Sequence, residues 1–197
     1  MKETPCALIA IDFVNEIVDP KGKLSGRGYA DFLERHGTLD RVAELFRFGR
    51  RARIPIFHVR VGFSEDYREQ PEHSPLFGPA KKNQVFRLGT WNTEFHPKAQ
   101  PDRGEAVIQK HRVSAFYGTP LDLVLRNLGI AEVIIAGVAT DLAVQSAARE
   151  AHDRGYRVRI VGDCCASVSD RDHEDALRLL AKVAKVQTLS ETLSSFP

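Results

Sequence analysis

Three places in this sequence set a chemically useful residue where a fold can use it. Asp12 closes the apolar run Cys6–Ile11, and Lys110 closes the run Ala106–Lys110. Val138-Ala139-Thr140-Asp141 carries the apolar run Val133–Val138 straight into a helical pattern that ends at Gly155. A strand that opens directly onto a helix N-terminus presents backbone N–H groups and the positive end of the helix dipole, which suit a carbonyl oxygen or an anion. A carboxyl group nearby can donate or accept a proton, and a lysine can hold that carboxyl in place or stabilise charge. Ala143, in the first turn of the helix where an enzyme would carry a nucleophile, has no functional group. Taken singly, an Asp after a strand is more commonly a cap or turn residue and a Lys at a strand end is more commonly solvated. The chemistry depends on the three places meeting.

For them to meet, the carboxyl ends of separate strands must converge. Cys6–Ile11 lacks the polar alternation of a half-exposed strand and reads as a buried parallel strand. Ile54–Arg60, Ala106–Lys110, Val133–Val138, Tyr156–Val161 and Val183–Leu189 are further strand-like runs. Helical spacing lies between them. One helix runs from a Thr38 cap to about Arg53, with Leu39, Val42, Leu45 and Phe46 inward; another follows Thr119-Pro120 as far as Leu128. A third buries Leu142, Ala143, Ala147 and Ala151, and a fourth covers Asp170–Lys182. This alternation predicts an α/β chain: a three-layer α/β/α sandwich around a mainly parallel, six-stranded Rossmann-like sheet, with residues 1–197 as a single domain. Ligands in such folds sit beyond the carboxyl ends of the strands, where strand order reverses. Two stretches interrupt the pattern: an insertion over Asp19–Gly37, turn-rich as far as Gly28, and Val61–Gly104, which holds five prolines. Such long irregular segments serve as lids or binding loops more often than as filler, so short helices covering the site, and substrate specificity, are expected there.

Composition excludes several classes. The formal net charge is +2 with the signs interspersed, which argues against a nucleic-acid surface. The apolar runs are strand-sized and none would span a membrane; Met1-Lys2-Glu3-Thr4-Pro5 lacks the apolar core of a signal peptide, so a cytoplasmic protein is expected. Cys6, Cys164 and Cys165 read as reduced thiols, the latter two as small buried hydrophobes. No glycine-rich phosphate loop or dinucleotide fingerprint occurs and no cofactor is implied. His58 lies inside a strand and His73 is far along the chain, without ligand spacing, so no metal is expected.

The segments ALIAIDFVNE, VIQKHRVSAFYGTPL, IAGVATDLAVQSAAREAHDRG and VGDCCAS, in this order and spacing, resemble the isochorismatase-like hydrolase superfamily, whose relatives include nicotinamidases and N-carbamoylsarcosine amidases. The resemblance covers essentially the whole chain. It implies that Asp12 and Lys110 are catalytic and that the Val138–Ala139 bond is a cis peptide helping to shape an oxyanion hole. Thiol-dependent members carry their nucleophilic cysteine at the position of Ala143. True isochorismatases have a small residue there and hydrolyse an enol ether by protonating its vinyl carbon, but they carry a tyrosine and a histidine at the positions of Ala139 and Asp141. The elbow GVATD is amidase-like except for the missing cysteine. Nicotinamidases hold zinc after the second strand, a pattern absent here.

Three readings follow. The first is a cysteine-independent hydrolase of a small metabolite, with Asp12 as general acid/base, Lys110 beside it and water as nucleophile. The second is an amidase whose nucleophile is replaced by Ala143, naturally or by design. The third is a non-catalytic binding or assembly protein, against which the retention of both Asp12 and Lys110 speaks. Phe13, Phe86, Trp91, Phe116 and Tyr117 are candidates for an apolar pocket, although core packing explains each equally well, and Arg87 for a substrate carboxylate. Asp163 is expected as a structural hydrogen-bond acceptor. The resemblance also implies a homo-oligomer, a dimer or tetramer, acting on a small-molecule substrate.

Overall fold

The computed structural model describes residues 4–196. Met1–Glu3, part of the stretch weighed as a signal peptide, and Pro197 lie outside the described residues. Six strands form one sheet: β1 Cys6–Ile11, β2 Ile56–Val61, β3 Ala106–Lys110, β4 Glu132–Val138, β5 Arg157–Ala166 and β6 Lys185–Gln187. They run in the order β3-β2-β1-β4-β5-β6, and every pairing is parallel. The chain builds outward from β1 to β3 and then returns to place β4 on the other side of β1. Strand order therefore reverses between β1 and β4, so Asp12 and the residues after Val138 leave the sheet side by side.

Among the described residues eight α-helices accompany the strands: α1 Asn15–Val18, α2 Tyr29–His36, α3 Thr38–Arg51, α4 Ala80–Asn83, α5 Leu121–Asn127, α6 Gln145–Asp153, α7 Asp170–Leu180 and α8 Leu189–Ser194. Alternate residues of β1 enter opposite layers. Leu8 and Ala10 pack with Val42, Leu45 and Phe46 of α3, while Ala7, Ile9 and Ile11 pack with Leu121, Leu125, Ala147, Ala151 and Leu180. Both faces are covered, which is why β1 carries no polar alternation. Gly137 marks where β4 passes closest to β1, since a Cβ there would stand 2.8 Å from the Cβ and carbonyl oxygen of Ile11.

Local details depart from the sequence reading. Gly37, in the left-handed region, caps α3, and the fully buried Thr38 makes no cap hydrogen bond. The insertion contains a two-turn helix, α2, opened by Gly28, because its Phe32 and Leu33 find a core that local pattern does not reveal. Strand β5 continues through Cys164-Cys165-Ala166, well past Val161. Leu142 is 38% exposed, not buried by its helix. The long segment carries α4 and single 3-10 turns at Trp91–Thr93 and Pro97–Ala99. No helix of the described residues is long and apolar enough to cross a membrane.

Candidate active site

Asp12 follows β1 in a left-handed conformation, φ 59°, and its own N–H donates to the Val59 carbonyl at 2.8 Å. The turn aims the carboxyl group across the end of β2. There Oδ1 accepts from the Val61 N–H at 2.7 Å, and Oδ2 lies 2.7 Å from Nζ of Lys110. Lys110 reaches from the end of β3, one strand beyond, and also donates to the Val113 carbonyl at 2.7 Å. Asp12 and Lys110 are 3% and 1% exposed. Burial drives the Asp12 pKa up, and the opposing pull of the Lys110 ammonium and the Val61 N–H leaves it above the ordinary aspartate value. The carboxyl group can therefore carry a proton that a solvated aspartate would have lost.

The third component enters from β4. The Val138–Ala139 peptide bond is cis, and Thr140–Val144 form one π-helical turn before α6 begins. Such turns are rare insertions that re-aim side chains, and they concentrate at functional sites. Two hydrogen bonds hold this elbow from outside: Thr140 Oγ1 lies 2.8 Å from Nδ1 of His173 on α7, and the Ser167 hydroxyl donates to the Asp141 carboxylate. Ala143 is 4% exposed, with Val138, Ala139 and Leu142 beside it on the wall of a cavity of about 340 Å³ that also takes in Asp12 and Lys110. Much of the rest of that wall comes from the two long segments, through residues such as Leu24, Arg27, Tyr29, Leu76, Phe77 and Phe86. A carboxyl–ammonium pair at the floor of a mainly apolar pocket suits proton transfer to a small molecule.

The isochorismatase domain model matches residues 6–191 of the chain. The chain belongs to the isochorismatase family. It is 33% identical over 163 residues to YecD, an uncharacterized isochorismatase family protein of Escherichia coli O157:H7, across 80% of this chain and 82% of that one. It is 29% identical over 168 residues to the ureidoacrylate amidohydrolase RutB of Methylobacterium radiotolerans, spanning 79% of this chain and 65% of RutB. Its fold matches N-carbamoylsarcosine amidase from Thermoplasma acidophilum with a TM-score of 0.75 and 27% identity, over 94% of this chain and 97% of that one.

In this isochorismatase-family hydrolase the other sequence-predicted pocket residues, Phe86 excepted, lie off the cavity. Phe13 points away from Asp12 into the core, edge-on to Phe46 with centroids 6.4 Å apart. Phe116 packs on Tyr156 in the opposite layer. Tyr117 and Trp91 are 63% and 41% exposed and outside the lining, and the Trp91 carbonyl accepts from the Asn15 amide. Arg87 faces Glu65 at 3.7 Å near the surface, whereas its neighbour Phe86 turns inward. Sequence spacing does not tell which of two adjacent loop residues faces a cavity. The same ambiguity hid Arg27, Tyr29 and Asn83, although all three fall in the two stretches expected to hold specificity.

Cys164 and Cys165 lie in β5, fully buried in opposite layers and outside the lining; burial raises both thiols, Cys165 to about 12. Asp163 accepts the Leu189 N–H at 2.7 Å. His58 lies 2.8 Å from Glu105, and among the described residues no group of three or more His, Cys, Asp or Glu is placed to hold a metal ion.

Proposed function

We propose that this protein is a cysteine-independent hydrolase of a small metabolite, with Asp12 as general acid/base, Lys110 as its charge partner and water as nucleophile. The supporting observation is the pairing of a protonatable, buried Asp12 with an unreactive methyl at Ala143 on the same cavity wall. Hydrolysis of an enol ether fits this set. Protonated Asp12 gives its proton to the vinyl carbon, and Lys110 stabilises the carboxylate left behind. Water adds to the resulting oxocarbenium carbon, its spare proton returns to Asp12, and the hemiketal collapses to a carbonyl compound and an alcohol. The elbow Val138–Ala143 receives the substrate oxygen. No step needs a side-chain nucleophile, and the Ala143 methyl supplies none.

A second reading is supported by the amidase names of two relatives and by the amidase-like GVATD elbow: an amidase with Ala143 at the nucleophile position. The two separate in one assay of the parent and Ala143→Cys against a panel of enol ethers and small amides. The expected outcome is enol-ether turnover by the parent and no amidase activity in either protein. A parent inert towards every enol ether, with an Ala143→Cys variant that gains amide hydrolysis by orders of magnitude, would replace this reading with the second.

A further inference from the structure

The same cavity carries two polar side chains that the proposed reaction does not use. Arg27 ends the 3-10 turn Ser25–Arg27, and Tyr29 opens α2. Between them Gly28 has φ 119° and lies so close to Val168 that a Cβ would stand 2.2 Å from its carbonyl oxygen, so only glycine allows the segment to seat there. Val168 is itself part of the cavity wall. The segment is tied further by the Lys23 N–H to Glu16 at 2.8 Å, the Leu24 N–H to the Glu16 carbonyl at 3.2 Å, and Lys23 Nζ to the Asn83 carbonyl at 2.8 Å. Arg27 thus projects from backbone fixed on the rim of the pocket.

Its guanidinium has no hydrogen bond or ion pair among the described residues, and the Tyr29 hydroxyl has no hydrogen bond among them. The other charges on the cavity wall are already engaged: Lys110 faces Asp12 at 2.7 Å, and Asp141 accepts from Ser167. Among the described residues Arg27 is the one cation lining this cavity that no carboxylate faces. Tyr29 remains a donor at neutral pH, since burial foremost, and then the Asp141 charge, push its pKa up to about 12 against the pull of Arg27. A planar guanidinium fork matches a carboxylate by two parallel hydrogen bonds, and a phenol supplies a third.

We propose that Arg27, with the Tyr29 hydroxyl as a second donor, anchors a carboxylate on the substrate, so that the hydrolase acts on small monocarboxylic acids whose scissile group reaches Asp12. This rests on the hydrolase reading above and adds its substrate class. The apolar wall around Leu76, Phe77, Val85 and Phe86 excludes a second charge and accepts a hydrocarbon or aromatic body.

The test uses two matched pairs. For binding, 2-phenoxypropionate and its carboxamide, which lack a vinyl group, are titrated calorimetrically into the parent, Arg27→Gln, Arg27→Lys and Tyr29→Phe. For turnover, 2-phenoxyacrylate and its carboxamide are assayed with the same proteins. The parent should bind the acid at least about tenfold more tightly than the amide, the scale of one charge-assisted contact. Arg27→Gln should erase that preference without weakening the amide, Arg27→Lys should keep part of it, and Tyr29→Phe should reduce it a few-fold. Equal binding of acid and amide by the parent, or a preference that survives Arg27→Gln, overturns the assignment. Acid preference without turnover of either compound keeps the anchor and removes the hydrolase reading; turnover without acid preference does the reverse.

Discussion

Strand β3 has a carboxylate paired with a cation at each end, fully buried at one and half-buried at the other, and the two behave oppositely. At its carboxyl end Lys110 meets Asp12, which receives one ammonium and one backbone N–H and stays above the ordinary aspartate pKa because burial outweighs both. Just before its amino end stands Glu105, where burial also acts upward. There the Arg50 fork at 2.8 and 2.9 Å, the Asp102 N–H at 2.8 Å and His58 at 2.8 Å outweigh it and hold the carboxyl at about 2. One site is short of donors and faces a cavity that takes in Ala143; the other is saturated with donors and locks β2, α3 and the start of β3 together. Burial of an acid does not by itself mark a catalytic group. Asp12 differs in facing the cavity with only two donors on its carboxyl group, so that burial outweighs them.

The sharpest way to break this contrast is to neutralise each carboxyl in turn. Asp12→Asn should lower kcat by about a thousandfold, the scale of general acid–base catalysis. It should also destabilise the fold by about 2 kcal/mol in urea unfolding, because the single amide oxygen cannot accept from both the Val61 N–H and Lys110 Nζ. Adding Lys110→Met should restore the stability and none of the activity. If the double variant regains turnover, the pair is structural and the contrast fails. Glu105→Gln should do the opposite: a loss of about 2 kcal/mol from its charge-assisted hydrogen bonds, with kcat within two-fold of the parent.

These two ends were not equally legible in the sequence. The strand runs, their parallel arrangement and the positions of Asp12, Lys110 and Ala143 follow from apolar runs that stop at a polar residue or open into a helix: β1 and β4 are buried on both faces, and β3, at the sheet edge, ends on the buried Lys110. The structure brings Asp12 to 2.7 Å from Lys110 and places Ala143 on the same wall. The Glu105 cluster was not found, since Arg50, His58 and Glu105 sit on different elements at no motif-like spacing and only the register of β2 on β3 assembles them. Helix α2 and the cavity-facing residues Arg27 and Tyr29 were missed for a related reason: long-range seating of Gly28 on Val168 places them. The aromatic type of Phe13, Trp91, Phe116 and Tyr117 suggests a pocket, but in loops type does not fix direction.

The smallest effect is the most diagnostic of the contrast, because its sign differs between the two ends. The native pKa of Asp12 lies above its unfolded value, so the folded state binds more protons between the two. Its contribution to stability is fully present below the unfolded pKa of 3.8 and is lost as pH rises through the native value. The native pKa of Glu105 lies below its unfolded value, so its contribution is present above 4.5 and is lost as pH falls towards about 2. Urea midpoints of the parent, Asp12→Asn and Glu105→Gln across this range should show it. The stability difference between parent and Glu105→Gln should shrink on acidification, whereas that between parent and Asp12→Asn should grow. Parallel slopes would mean that both carboxylates are held ionised by their partners, and that Asp12 carries no proton to give.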